Sequence, residues 1–243
     1  MTARAGTAAG TAIAGIGATE FSKDSGRSEL RLAAEAVRAA LDDAALTPAD
    51  VDGLVTFTMD GNAEIAVARE LGIPGLSFFG QVGYGGGAAC ATVQHAAMAV
   101  AAGAASVVVC YRALNERSGR RFGRVAPGAT ATPTTSGVDN GWHYPMGIAT
   151  PAATVAMVAR RYMHEFGVKS EDLAEVAVTH RYHATLNPEA VMRARGTITV
   201  DDVLSSRMVC SPLHLLDCAL DTDGGYAVVI ASAEVAKNCR TKP

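Results

Sequence analysis

Gly83, Gly85, Gly86 and Gly87 stand just ahead of Cys90, in a stretch from Glu70 to Arg112 with no Asp, Glu, Lys or Arg between those two residues. The pattern predicts a strand (Leu76–Gln81), a glycine turn, a helix of small residues (Ala88–Ala102) and a second strand (Ser106–Tyr111). Each glycine in or beside a helix costs about 1 kcal/mol against alanine, so a run of them implies close approach to the backbone. One reading is a tight turn onto a crowded helix. The other is a substrate pocket at the helix N-terminus, where unpaired N–H groups hold a developing oxyanion. Cys90 is either a thiol nucleophile or a small core cysteine. Gln94 and His95 are the large polar groups of this helix, so it is expected to be enclosed on nearly all sides.

Other constellations carry less chemistry. Gly83-x-Gly85-x-x-Ala88 mimics a dinucleotide fingerprint, but the next strand ends Val109-Cys110-Tyr111-Arg112, without the acid that would bind ribose. Arg117, Arg120, Arg121 and Arg124 form a basic run suited to a partner's acidic face, to phosphate, or simply to solvent. His180 and His183 lie three apart on a predicted helix, with His164 on the preceding one; neither HExxH nor a Cys/His pair accompanies them, so no metal ligand is assigned. Asp221-x-Asp223-Gly before a strand reads as turn chemistry.

The elements that must position these groups follow from periodicity. Thr11–Ala18 is a first strand, and Ser28 caps a helix with Leu30, Ala33, Val37, Leu41 and Ala44 at helical spacing. Its other face offers the pairs Arg31–Glu35 and Arg38–Asp42. Gly53–Phe57 is a strand, Asn62–Leu71 a short helix, and the glycine-centred unit follows. Alternation of strands and helices predicts a parallel sheet covered on both faces. From Asn115 to Tyr144 periodicity vanishes; helices are expected at Pro151–Phe166, at Glu171–Leu186 with Ser170 as its cap, and near Asp201–Ser205, before a closing strand Gly225–Ser232.

Composition narrows the class. Apolar residues make 49% and charged residues 19%, which is ordinary for a globular chain, and a net charge of −3 gives no footing for nucleic acid. Five cysteines without a CxxC pair or an apolar leader predict free thiols in a reducing cytoplasm. The uncharged stretch is broken by Pro74 and its glycines, so no membrane span is expected.

Gly83-Tyr84-Gly85-Gly86-Gly87-Ala88-Ala89-Cys90 and Ala99 through Val109 resemble the central helix and following strand of thiolases, closest to the sterol-carrier and lipid-transfer-protein branch. The resemblance continues through Tyr162–Gly167, Leu186-Asn187-Pro188, Met208–Cys218 and Asp223-Gly224-Gly225. It implies a thiolase-like α/β fold: an N-terminal half (1–114 and 212–243) with a parallel-rich sheet and buried central helix, an inserted loop domain (115–211), and a C-terminal half absent from this chain. Counting back from Gly103 by the family's spacing puts Gly86 where thiolases carry their nucleophilic cysteine, and glycine cannot form an acyl-enzyme. Cys90 lies one turn further, displaced by about 6 Å along the axis.

The resemblance therefore implies an aldolase of the steroid side-chain type. Such an enzyme cleaves a β-hydroxy steroid side-chain CoA thioester to a ring ketone and a short acyl-CoA such as propionyl-CoA, within steroid or cholesterol catabolism. Gly86 would give pocket space or oxyanion donors. His143, Tyr144, Met146 and Gly147 match the loop-domain motif that lines the pantetheine tunnel, the other reading being a buried aromatic turn. Coenzyme A enters only as part of the substrate, and no other cofactor is implied. Tyrosines are the implied acid and base, in the C-terminal half, so no catalytic residue is assigned here. A homodimer through the Ser106–Tyr111 strand and a small OB-fold, acyl-CoA-associated partner are implied as well. Two alternatives remain: a thiolase using Cys90, and a non-catalytic acyl-CoA or lipid carrier.

Overall fold

The computed structural model describes residues 10–57, 61–83, 89–119 and 142–240. These divide into two compact units: one runs to Ser118 and resumes at Thr222, the other spans Gly119–Asp221.

The first unit is built on a five-stranded sheet. Its elements are β1 (Thr11–Ala18), α1 (Glu29–Ala44), β2 (Gly53–Phe57), α2 (Glu64–Leu71), β3 (Phe78–Val82), α3 (Ala89–Ala101), β4 (Val107–Asn115), and β7 (Asp223–Ser232) followed by the short α7 (Ala233–Ala236). The strand order is β1-β7-β4-β2-β3. β2 runs parallel to both β3 and β4, whereas β7 runs antiparallel to β4 and β1. β3, β2 and β4 form the parallel part of the sheet, and β7 adds antiparallel pairs because the chain returns from its insertion at the end where β4 leaves, Asn115 pairing with Asp223. Asp52 sets the register of the parallel part: its carboxylate accepts the N–H groups of Ser106 and Val107, and its carbonyl accepts that of Ser77 at 2.8 Å.

Helices cover both faces, as the alternation predicts. α1 begins where Ser28 accepts the Arg31 N–H, and it buries Leu32, Ala33, Val37, Leu41 and Ala44 against one face, with α2 beside it. Arg31 pairs with Glu35, but Arg38 donates to the Glu70 carbonyl instead of meeting Asp42. Gly15 and Gly17 let β1 touch α1, since a Cβ on Gly17 would overlap the backbone of Ala36 and Ala40. α3 packs Ala96, Ala99 and Val100 on the other face, against Val55, Val108, Cys110 and Ile230.

Two expectations are corrected here. α3 is not enclosed: Cys90, Gln94, His95, Met98 and Ala101 are exposed, and burial is confined to the stripe that meets the sheet. Uncharged residues made the helix look buried all round, yet among the described residues only the sheet side is covered. Ser106–Tyr111 is not an edge either, because β4 is hydrogen-bonded on both sides, to β2 and β7. Among the described residues the edges are β1 and β3.

The second unit holds α4 (Pro151–Phe166), α5 (Ser170–Leu186), α6 (Val200–Ser205) and the hairpin β5–β6 (Met208–Cys210, Leu213–His214). Thr150 and Thr199 cap α4 and α6; α5 is capped by Asp172, which accepts the Lys169 N–H at 2.8 Å, and not by Ser170. Among its described residues Ala153, Ala156, Ala174, Val203 and Pro212 are buried, while Val155, Val158, Tyr162 and Phe166 form an exposed stripe along α4. Its bounds differ from the expected 115–211. Asn115 still pairs with Asp223 in the large sheet, and β5–β6 forms its own two-stranded sheet.

Candidate active site

β2 ends at Phe57, level with Arg112 of β4, near the first turn of α3, and the crevice outside such strand ends is where open α/β sheets hold ligands. A cavity of about 180 Å³ opens there. Ala89, Cys90 and Val93 of α3 form one wall; Phe57, Arg112, Tyr226 and Val228 from three strands form the others. The Arg112 guanidinium lies 4.5 Å from the centre of the Phe57 ring, a cation–π contact that braces both side chains. Among the described residues no carboxylate pairs with Arg112.

The floor is fixed by local hydrogen bonds. Thr92 donates to the Ala89 carbonyl at 2.7 Å, and Cys110 donates its S–H to the Thr92 carbonyl at 3.4 Å. Burial pushes the Cys110 thiol up to about 12, so it stays protonated and inert. Cys90, by contrast, is exposed at the cavity mouth. Below, Thr56 donates to the Tyr111 carbonyl at 3.1 Å, and the Tyr111 hydroxyl donates to that of Asn62 at 2.9 Å. Glu64 is buried at the start of α2, with one oxygen near Gln81 Nε2.

Gly86 lies outside the described residues, as do Arg120, Arg121 and Arg124. Arg117 is described, and its N–H donates to Asp223. Asp223 is fully buried and does more than shape a turn: its carboxylate gathers the N–H groups of Ser25, Arg117 and Ser118 together with the Ser118 hydroxyl.

Within the second unit, Tyr144–Met146 forms a single 3₁₀ turn that Gly147 closes at φ 77°, and the Ile148 N–H returns to the His143 carbonyl. Met146 is 78% exposed. His143 is half-buried beside it, and Gly147 is exposed. A separate groove of about 450 Å³ in this unit runs between α5 and the segment after β6, lined by Leu173, His180, Arg181, Leu216 and Asp217 among others. No group of three or more His, Cys, Asp or Glu that could hold a metal ion occurs among the described residues.

The residues around the cavity were not found from sequence, apart from Cys90. The signal existed in the strand register: pairing Val55 with Cys110 carries on to set Phe57 beside Arg112.

A mixed sheet in this order, a small-residue helix on one face and a large insertion before the last strand define the thiolase fold. The chain matches the thiolase N-terminal domain over residues 9–233 and belongs to that family. It is 60% identical over 232 residues to 17-hydroxy-3-oxo-4-pregnene-20-carboxyl-CoA lyase of Mycobacterium tuberculosis, covering 96% of this chain and 60% of that protein. It is 58% identical to the steroid side-chain-cleaving aldolase of Thermomonospora curvata, over 96% of this chain and 59% of the relative. The solved Ltp2-ChsH2(DUF35) aldolase superposes with a TM-score of 0.86 at 57% identity, covering 95% of this chain and 57% of that one. The chain thus spans about three-fifths of the length of these relatives.

Proposed function

We propose that the chain works in a thiolase-fold aldolase that cleaves a β-hydroxy steroid side-chain CoA thioester into a ring ketone and a short acyl-CoA, propionyl-CoA. The observation that carries this reading is 60% identity to a protein named as a steroid-CoA lyase. The glycine at the family's nucleophile position agrees with it. In a retro-aldol cleavage a base removes the proton of the tertiary hydroxyl. The carbon–carbon bond then breaks as the ring ketone forms, the electron pair moves into the thioester as an enolate, and an acid returns a proton to the enolate carbon. None of these steps needs a covalent bond to the enzyme. Backbone donors around Gly86 would hold the enolate oxygen, and His143, Tyr144, Met146 and Gly147 would line the path of the acyl-CoA.

Incubating the protein with a CoA thioester of a 17-hydroxylated steroid side-chain acid, and following propionyl-CoA by mass spectrometry, tests the reading directly. Release of propionyl-CoA with the ring ketone in equal amounts is expected. Thioester that is bound but never consumed would sink the proposal in favour of a carrier.

A partner belongs to the proposal: an OB-fold, acyl-CoA-associated protein, supported by the two names joined in the solved Ltp2-ChsH2(DUF35) aldolase. A second copy is the other partner. With β4 interior, that pairing falls to β3, an edge strand whose Phe79 is 69% exposed. Five free thiols suit the cytoplasm. No helix among the described residues is long and apolar enough to cross a membrane.

A further inference from the structure

The cavity at the strand ends joins an apolar lining to one cation, and this combination selects a ligand. Phe57, Val93 and Val228 offer hydrocarbon, while Arg112 brings five N–H donors that no described carboxylate occupies. Its guanidinium is held in place by the Phe57 ring at 4.5 Å, so little side-chain freedom remains to be lost when it donates to a ligand. At about 180 Å³ the space compares with apolar cavities of about 150 Å³ that admit a benzene ring. It holds one alicyclic ring, and its open mouth lets a larger ring system extend outwards.

We propose that this cavity receives the alicyclic ring that carries the reacting carbon, with Arg112 donating to the oxygen on that ring. The inference rests on the aldolase reading and deepens it by naming a specificity residue and a ring subsite. Two features argue for the reacting ring and not a remote one. Ala89 and Cys90, in the first turn of α3, form the wall of the cavity, and in the sequence they closely follow the glycine run. A ring whose hydroxyl becomes a ketone also keeps an acceptor oxygen from substrate through product, so one fixed donor serves both. The role of Arg112 is binding and orientation; it exchanges no proton with the substrate.

The probe is trans-1-hydrindanone, a fused bicyclic ketone, with the parent hydrocarbon hydrindane as its oxygen-free control. Cys90 is exposed at the cavity wall, so occupancy is read as protection from iodoacetamide, with Cys210 of the other unit as the internal reference. The ketone is expected to slow alkylation of Cys90 but not Cys210. Arg112→Met should weaken ketone protection by about tenfold, the size of one charge-assisted hydrogen bond, and leave hydrindane protection unchanged. Val228→Phe, which fills the space, should abolish protection by both.

An unchanged Cys90 rate at saturating ketone overturns the subsite. Equal weakening of ketone and hydrindane by Arg112→Met overturns the role of Arg112. These outcomes stand apart from turnover. A protein that releases propionyl-CoA while hydrindanone leaves Cys90 unprotected is an aldolase with its ring site elsewhere. A protein that is protected but cleaves nothing keeps the subsite and loses the reaction.

Discussion

Asp223, the first residue of β7, accepts both the amide N–H of Ser118, at 3.0 Å, and the Ser118 hydroxyl. The two residues stand on the segments that lead into and out of the inserted unit. The same carboxylate also accepts from Arg117 at 2.9 Å and from Ser25 at 3.0 Å, so three backbone segments meet on one buried charge. Burial alone would raise the pKa of Asp223. The hydrogen bonds from the Ser118 hydroxyl and from the N–H groups of Ser118, Ser25 and Arg117 outweigh it and hold the carboxyl below its ordinary value.

A group depressed on folding stabilises the native state above its unfolded pKa, near 4, and loses that contribution as pH falls through the folded value. Asp223→Asn replaces an acceptor by an amide whose NH₂ must face another donor. The variant should therefore lose about 2 kcal/mol at neutral pH. The gap to the parent should narrow as the solution is acidified below about pH 4. Urea unfolding at neutral and acid pH measures both; a gap that stays constant with pH would remove the charge from the explanation.

Gly17 faces α1 so closely that an added Cβ would overlap backbone atoms of Ala36 and Ala40. Backbone cannot rotate away, unlike a side-chain end, so β1 must shift off the helix. Gly17→Ala is expected to cost about 3 kcal/mol, at the upper end of overpacking penalties, and to lower the urea midpoint accordingly. Unchanged stability would mean that β1 and α1 are further apart than described.

Much of this first unit could be read from spacing. α1 was legible through its Ser28 cap, its buried stripe and the Arg31–Glu35 pair, all of which are local. Sheet order was not, because the neighbour of β4 arrives in β7 after the whole insertion. The unbroken run Val107–Tyr111, all buried, did carry the mark of an interior strand, whereas β3 alternates exposed and half-buried residues up to Val82. The glycine turn is visible as a run in the sequence, but Phe57 and Arg112 meet only through tertiary pairing, so no motif announced them.

Ala45 ends α1 in the left-handed conformation at φ 59°, with the Leu46 N–H reaching the Leu41 carbonyl as in a Schellman motif. Its side chain is exposed, so deleting the methyl group sacrifices little packing. Left-handed geometry costs a non-glycine residue about 1–2 kcal/mol, and glycine gives back part of that through its freer unfolded chain. Ala45→Gly should thus stabilise by about 0.5–1 kcal/mol. A lower melting temperature in calorimetry would contradict the assignment of this cap.

Phe79 is exposed on the edge strand β3, whose outer side forms no strand pairing among the described residues. Edge strands that do not pair are commonly protected by charge. Under the proposed pairing through β3, the parent is expected to sediment as a dimer and Phe79→Lys, which supplies that charge, as a monomer in sedimentation velocity. A substitution in interior β4, such as Val108→Lys, should instead unfold it, since Val108 is completely buried. A dimer that survives Phe79→Lys would place the contact elsewhere.

Cys90 and Cys110 face the same cavity but differ in what surrounds the sulfur. Cys110 is buried, donates to Thr92, and is held at about 12, so at pH 8 only about one molecule in ten thousand carries the thiolate that reacts. Iodoacetamide at pH 8 should therefore modify Cys90 and spare Cys110 in the folded protein, with Cys110 labelling only as urea opens the α3–sheet interface. Equal rates for the two in native buffer would show that the interface is open. The same preparation separates the two chemistries the fold can host. If Cys90 were a nucleophile, incubation with acyl-CoA would block its alkylation and add the acyl mass to its peptide. The aldolase reading expects the peptide carrying Cys90 to keep its unmodified mass throughout turnover, because cleavage proceeds by proton transfers between free substrate and product.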